Sequence, residues 1–108
     1  MSKTALITHP ACLEHVTPSG HPEQVARLEY ILKALKDKDL LRVKAPLGSE
    51  DEIMRCHPAS HITDLRSALP DTGYRQIDGD TFMSAGSLDA AFRAVGAVTK
   101  AVDMAMGG

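Results

Sequence analysis

From Ser87 to Met106 the chain carries only four charged residues, Asp89, Arg93, Lys100 and Asp103. At about 100° per helical residue these four fall within an arc of about 80°. Beyond Ser87, a plausible helix cap, every other position is Ala, Val, Leu, Phe, Met, Gly or Thr. A surface helix shows a broader polar face than this, so the segment predicts a helix covered on most sides. The rest of a 108-residue chain is short of material to cover it. The sequence therefore reads as the opening part of a larger domain.

The preceding residues set the fold class. Thr4–Thr8 is a short apolar run stopped by His9-Pro10, which suits a buried strand. Residues 9–21, with Pro10, Pro18 and Gly20, read as loop. Pro22 is placed to open a helix at its favoured first position, with Glu23 near the positive end of the dipole. Val25, Leu28, Ile31, Leu32 and Leu35 then form one apolar helical face that ends near Lys38. Leu41–Ala45 predicts a second strand closed by Pro46. Ser49, followed by Glu50, Asp51 and Glu52, marks a capped helix start. Pro58 cuts that helix short, and another is expected from Ala59 or Ser60 to Leu69. Pro70, Gly73, Gly79 and Gly86 make residues 70–86 a loop with little regular structure. Strand, helix, strand and helices give an α/β class with a parallel sheet, and two strands alone leave such a sheet poorly covered.

Composition narrows function less than fold. Apolar content of 44%, charged content of 24% and a net charge of -2 are those of an ordinary globular domain, without the basic surface that nucleic acid or anionic membrane would need. No apolar stretch is long enough to span a bilayer or act as a signal peptide. Cys12 and Cys56 lie far apart without a Cys-x-x-Cys pattern, so they read as reduced thiols of a cytoplasmic protein.

Candidate chemistry is sparse. His9, Cys12, His15 and His21 are spaced H-x2-C-x2-H-x5-H, which matches no common structural zinc pattern and reads as hydrogen-bonded loop histidines. Pro58 keeps His57 and His61 off one continuous helix, and no Gly-rich phosphate loop is present. Arg27 borders the apolar face of the first helix. It is either an exposed, snorkelling arginine or a partly buried guanidinium held by carbonyls and suited to carboxylates. Asp78 and Asp80 flank Gly79, as turn formers, as acceptors for a ligand's amides or as cation ligands.

Three blocks together carry a family pattern. Gly20-His21-Pro22-Glu23, followed by Arg27 and an apolar helix, resembles the opening of class II-like histone deacetylases, acetoin-utilisation proteins and related zinc amidohydrolases. Glu52 to Ile62 resembles the family's next helix pair. Asp78-Gly79-Asp80-Thr81-Phe82-Met83-Ser84-Ala85-Gly86-Ser87, with Ala90-Ala91 and Ala94-Val95-Gly96-Ala97, resembles its Asp-x-Asp-Thr-Tyr-x-Ser block.

The resemblance implies the N-terminal part of an arginase-like three-layer fold, with residues 1–108 as one segment of a single deacetylase domain that stops before the zinc site. In intact members zinc activates water against an acyl-amide carbonyl, and paired histidines supply the base. This sequence has no His-His pair and no Asp-x-His, so no catalytic or metal residue is expected within it. His21, Pro22 and Asp80 match the rim of the acyl-lysine channel, with Asp80 accepting substrate amides through charge-assisted bonds. Arg27 matches the internal channel arginine and is expected to be buried. The implied partner is an acylated lysine or acylated amine, with no nucleic acid and no membrane. Self-association through uncovered surfaces is expected, and the rival reading is a truncated, non-catalytic assembly or binding module.

Overall fold

Ala5–Thr8, rich in strand-favouring residues, forms β1, and Leu41–Lys44 forms β2. The two pair in parallel, with Ala5 opposite Leu41 and Thr8 opposite Lys44. The expected sheet is therefore present, and bonds from Leu41 N–H to Thr4 O (3.0 Å) and from Ala45 N–H to Thr8 O (2.8 Å) close its ends. The structure is a computed structural model and describes residues 3–107. Met1, Ser2 and Gly108, the extremes of the 1–108 segment, lie outside the described residues.

Between the strands, two expectations need correction. The loop after β1 contains a 3-10 helix over Pro10–Glu14. His9 caps it, its Nδ1 accepting the Ala11 N–H at 3.0 Å. Pro10 thus starts a helical turn as well as ending the strand. The next helix, α1, runs Val25–Leu35 and does not open at Pro22. Residues 21–24 are held otherwise: the Thr17 hydroxyl donates to Glu23 O, and His21 Nδ1 accepts the Glu23 N–H at 3.1 Å. Gln24 is left extended as the N-cap. At its other end α1 stops at Leu35, where Arg42 Nη2 donates to the carbonyls of Leu35, Lys36 and Lys38 at 2.8, 3.0 and 3.1 Å. A cation there matches the negative end of the helix dipole.

Helix α2, Glu50–Met54, begins as its sequence dictates. Ser49 Oγ accepts the Glu52 N–H and Glu52 Oε1 accepts the Ser49 N–H, a reciprocal capping box. Those donors hold the Glu52 carboxyl below its ordinary value, the Ser49 backbone bond contributing most. Helix α3 spans Ala59–Ala68 behind Pro58, and its Arg66 bonds Glu50 at 2.8 Å. The 70–86 stretch is mostly irregular but contains a small antiparallel hairpin, β3 (Arg75–Gln76) with β4 (Phe82–Met83).

Helix α4, Ser87–Gly107, packs against β1, the 3-10 turn and the loop after β2. Ser87 is its first residue and not its cap. The Ser87 hydroxyl accepts the N–H of Ser84, while Gly86 O accepts the Ala90 N–H. Nor is the charged stripe purely solvent-facing. Arg93 is half-buried, its Nη1 donating to Ala45 O at 2.9 Å, and its buried Nε has no partner among the described residues.

The buried apolar core among the described residues is small: Ala45, Ile62, Met83 and Ala90. The exposed surface is 7525 Å2, where a compact monomer of 11.6 kDa would expose about 5,800 Å2. The radius of gyration, 15.4 Å, exceeds the compact value of about 13 Å. The surplus includes the outer end of α4, where Val98, Val102 and Met106 are exposed.

Loop 45–48 lies against α4 through two glycines. Gly48 N–H donates to Phe92 O at 2.8 Å. A Cβ on Gly48 would strike Val95, and one on Gly96 would strike the Pro46 carbonyl. At an open helical site Gly→Ala stabilises by about 1 kcal/mol. Here Gly96→Ala is expected to do the opposite, lowering stability by about 1–3 kcal/mol through overpacking. Urea unfolding followed by circular dichroism measures the sign.

Candidate functional site

Two of the residues singled out from sequence, 59 positions apart, meet in the structure. His21 Nδ1 accepts the Glu23 N–H, so the ring proton sits on Nε2, which donates to the backbone carbonyl of Asp80 at 2.7 Å. Phe82 meets the imidazole edge-on, with ring centroids 5.4 Å apart. The loop that carries Pro22 is thereby tied to the loop that carries Asp80. Pro22 itself is exposed beside His21.

Asp78 shapes the second loop. Its Oδ1 accepts the N–H groups of Asp80 (3.0 Å) and Thr81 (2.9 Å), the turn that an Asp two residues before its donor favours. The Asp78 carboxyl is held below its ordinary value, chiefly by the Asp80 amide and then by Thr81. Asp78 therefore builds the turn, while Asp80 is exposed and its carboxylate has no ion-pair or hydrogen-bond partner among the described residues. Such a carboxylate is available to a ligand's amide donors.

Arg27 departs from expectation. Its side chain is 57% exposed and it pairs with Glu23, one helical turn earlier, at 3.1 and 3.3 Å. The expected carboxylate partner exists, but the expected burial does not. Arg27 lines a cleft of about 350 Å3 between α1 and α4, with Cys12, His15, Ala90 and Ala94 on its walls.

Beside these two loops lies a polar node that the site residues chosen from sequence did not include. Ser84 Oγ donates to Glu14 O at 2.9 Å and accepts the Val16 N–H at 3.0 Å. Ser87 Oγ accepts the Ser84 N–H at 2.7 Å and meets His15 Nδ1 at 2.6 Å. Both serines are buried. The node fixes the 14–17 segment, and with it the start of the His21 loop, against the origin of α4. The Ser84-x-x-Ser87 spacing was its only trace in sequence, and nothing there named His15 as the partner.

The described residues do not form a zinc site. Among them no three His, Cys, Asp or Glu side chains converge as ligands. The Nδ1 atoms of His9, His15 and His21 are taken by Ala11, Ser87 and Glu23 respectively. Desolvation first, then Arg93 and Lys44, hold His9 below its ordinary value. His57 and His61 stack with centroids 4.6 Å apart across Pro58. With Cys56 they line an apolar cleft of about 340 Å3 against α4, and no third ligand converges on them.

A depressed carboxyl stabilises the fold above its unfolded value, about 3.9, and that contribution is lost as pH falls through the lower, folded value. The amide resonances of Asp80 and Thr81 are therefore expected to shift cooperatively with a midpoint below about pH 3.9. In Asp78→Ala that transition should vanish, with both amides in exchange with solvent at neutral pH.

The Histone deacetylase domain family model matches residues 21–108, a span that holds the His21 and Asp80 loops and all of α4. The chain is 28% identical to the type-2 histone deacetylase 1 of Dictyostelium discoideum, over 98% of its own length and 11% of the relative's. Its fold superimposes on the crystal structure of the HDA15 HD domain with a TM-score of 0.81 at 23% identity, covering 96% of this chain and 33% of that one. The chain thus spans a third or less of either protein, and the α/β arrangement with its parallel pair is that of an arginase-like fold. With a family match over most of its length, this chain belongs to the histone deacetylase family.

Proposed function

We propose that this chain forms the N-terminal segment of a zinc-dependent deacetylase domain and lines its substrate entrance, the intact enzyme hydrolysing acetyl-lysine or related acylated amines. The bond from His21 to the Asp80 carbonyl carries the reading, because it joins two separate rim segments and leaves the Asp80 carboxylate exposed. In this reading His21 and Pro22 shape the rim, and Asp80 accepts the substrate's backbone N–H groups. Arg27 attends the channel along which the released carboxylate departs, once further elements enclose it. Zinc and the proton-transferring histidines belong to residues beyond those described. The segment alone is then inactive, and the intact enzyme works in the cytoplasm.

A substrate with several amide donors uses Asp80 more than one with a single amide. In the intact enzyme Asp80→Ala is expected to lower kcat/KM for acetylated peptides by about 10-fold or more, the worth of a bond to a charged acceptor. Small acylated amines should lose far less. Steady-state kinetics on both substrate types measures the difference, and equal losses would remove Asp80 from peptide recognition.

A second reading, a non-catalytic assembly module, draws support from the surplus surface. Val98, Val102 and Met106 on α4 are 65%, 55% and 83% exposed, and β1 and β2 together leave sheet edges open. Contiguous apolar surface of this kind marks an interface. The 108-residue chain alone is expected to self-associate at micromolar concentration, with a closed two-fold dimer the simplest arrangement. Val98→Glu with Val102→Glu should shift it to monomer in light scattering. A wild-type chain that stays monomeric, with α4 exchanging freely, would contradict this.

A further inference from the structure

The face of the sheet that carries Leu6 and Thr8 on β1 also carries Arg42 and Lys44 on β2, because the parallel register sets Leu6 opposite Arg42 and Thr8 opposite Lys44. The C-terminal half of α1 stands over this face and leaves a cleft of about 540 Å3, within the range of small-molecule sites. Its apolar walls are the side chains of Leu6 and Leu32, and Val43, whose side chain lies on the other face, adds backbone only. Its polar lining is four cations, Lys33, Lys36, Arg42 and Lys44, with the Thr8 hydroxyl, and no carboxylate.

Those charges are poorly compensated. Among the described residues none of the three lysines has an ion-pair partner: Asp37, the first acid after the helix, makes no ion pair, and Asp39 bonds Lys3 at 3.2 Å. Arg42 is locked in place by the α1 carbonyls, which occupy its Nη2 but supply no full negative charge. Three free ammonium groups and a fixed guanidinium thus surround an apolar floor that offers few hydrogen-bonding groups of its own.

We propose that this cleft binds a medium-chain carboxylate, its hydrocarbon chain on Leu6 and Leu32 and its head among Lys33, Lys36 and Lys44. An acidic peptide would match the charge, but its backbone N–H and C=O groups would find the Thr8 hydroxyl as nearly their only partner on the floor. The hydrocarbon chain has no such need. The proposal is independent of the deacetylase reading, since it uses none of the rim residues.

The test is calorimetric titration of the purified protein with octanoate, with octanamide, acetate and a poly-glutamate peptide as comparison ligands. Expected is saturable one-to-one binding of octanoate, with amide shifts at Leu6, Thr8 and Val43 in NMR. Octanamide and acetate should each bind at least ten-fold more weakly. Lys36→Glu with Lys44→Glu, both at exposed positions, should weaken octanoate at least ten-fold with an unchanged circular dichroism spectrum. Leu32→Asn, also checked for fold, should weaken octanoate and leave acetate unchanged. Absent or non-saturable octanoate binding, equal binding of octanamide, an unaffected charge-reversal variant, or tighter binding of poly-glutamate would each overturn the proposal.

Discussion

Residues 48 and 96 can meet only because neither has a side chain. The loop after β2 reaches α4 backbone to backbone, with Gly48 N–H bonded to Phe92 O and the Pro46 carbonyl where a Cβ of residue 96 would stand. That contact sets the height of α4 over the end of β2. It brings Arg93 within reach of the Ala45 carbonyl, and it aims the N-terminus of the helix at the 3-10 turn. With a large residue at either position the helix would stand off, and its first turn could not engage the 14–17 segment.

The His21 and Asp80 loops are built on that anchored first turn. Gly86 lies close enough to Glu14 that a Cβ would collide with it, and the hydroxyls of Ser84, two residues before it, and Ser87, one after, bind Glu14, Val16 and His15. The two serines are buried, so the segments must keep their register or leave those hydroxyls unsatisfied. His21 then continues the same tie outward, to the Asp80 carbonyl. Polar contacts thus hold the 14–17, 21–24 and 78–87 segments together in a protein whose apolar core, among the described residues, is small.

That small core is the other physical fact about this chain. Among the described residues, four buried apolar residues and no fully buried large side chain leave much of the apolar surface unmatched. Helices α1 and α4 keep exposed apolar positions such as Ile31, Val98 and Val102, and the parallel pair is only two strands wide. A parallel sheet is stable when both faces are covered. The chain covers 33% of the HDA15 HD domain, whose fold it shares.

Local chemistry explains how much of this was legible beforehand. The strands at residues 5–8 and 41–44, the capping box at Ser49 and Glu52, the helix stop before Pro58 and the long final helix follow from hydrophobic period, caps and proline, which act within a few residues. The three motif blocks likewise marked the family. Other features depend on distant partners and leave no local trace. Pro22 could not start α1 because Thr17 and His21 hold Glu23 in a turn. Arg93, one of four charges on a stripe that looked solvent-facing, turned inward because the end of β2 offered it a carbonyl. Arg27, expected to be buried, lines the cleft between α1 and α4 but stays exposed, paired with Glu23 one turn earlier. Sequence determined which elements form, since propensity and capping are local. Only the tertiary structure decided which polar side chains meet, because a hydrogen bond across 59 or 72 residues is fixed by packing and not by spacing.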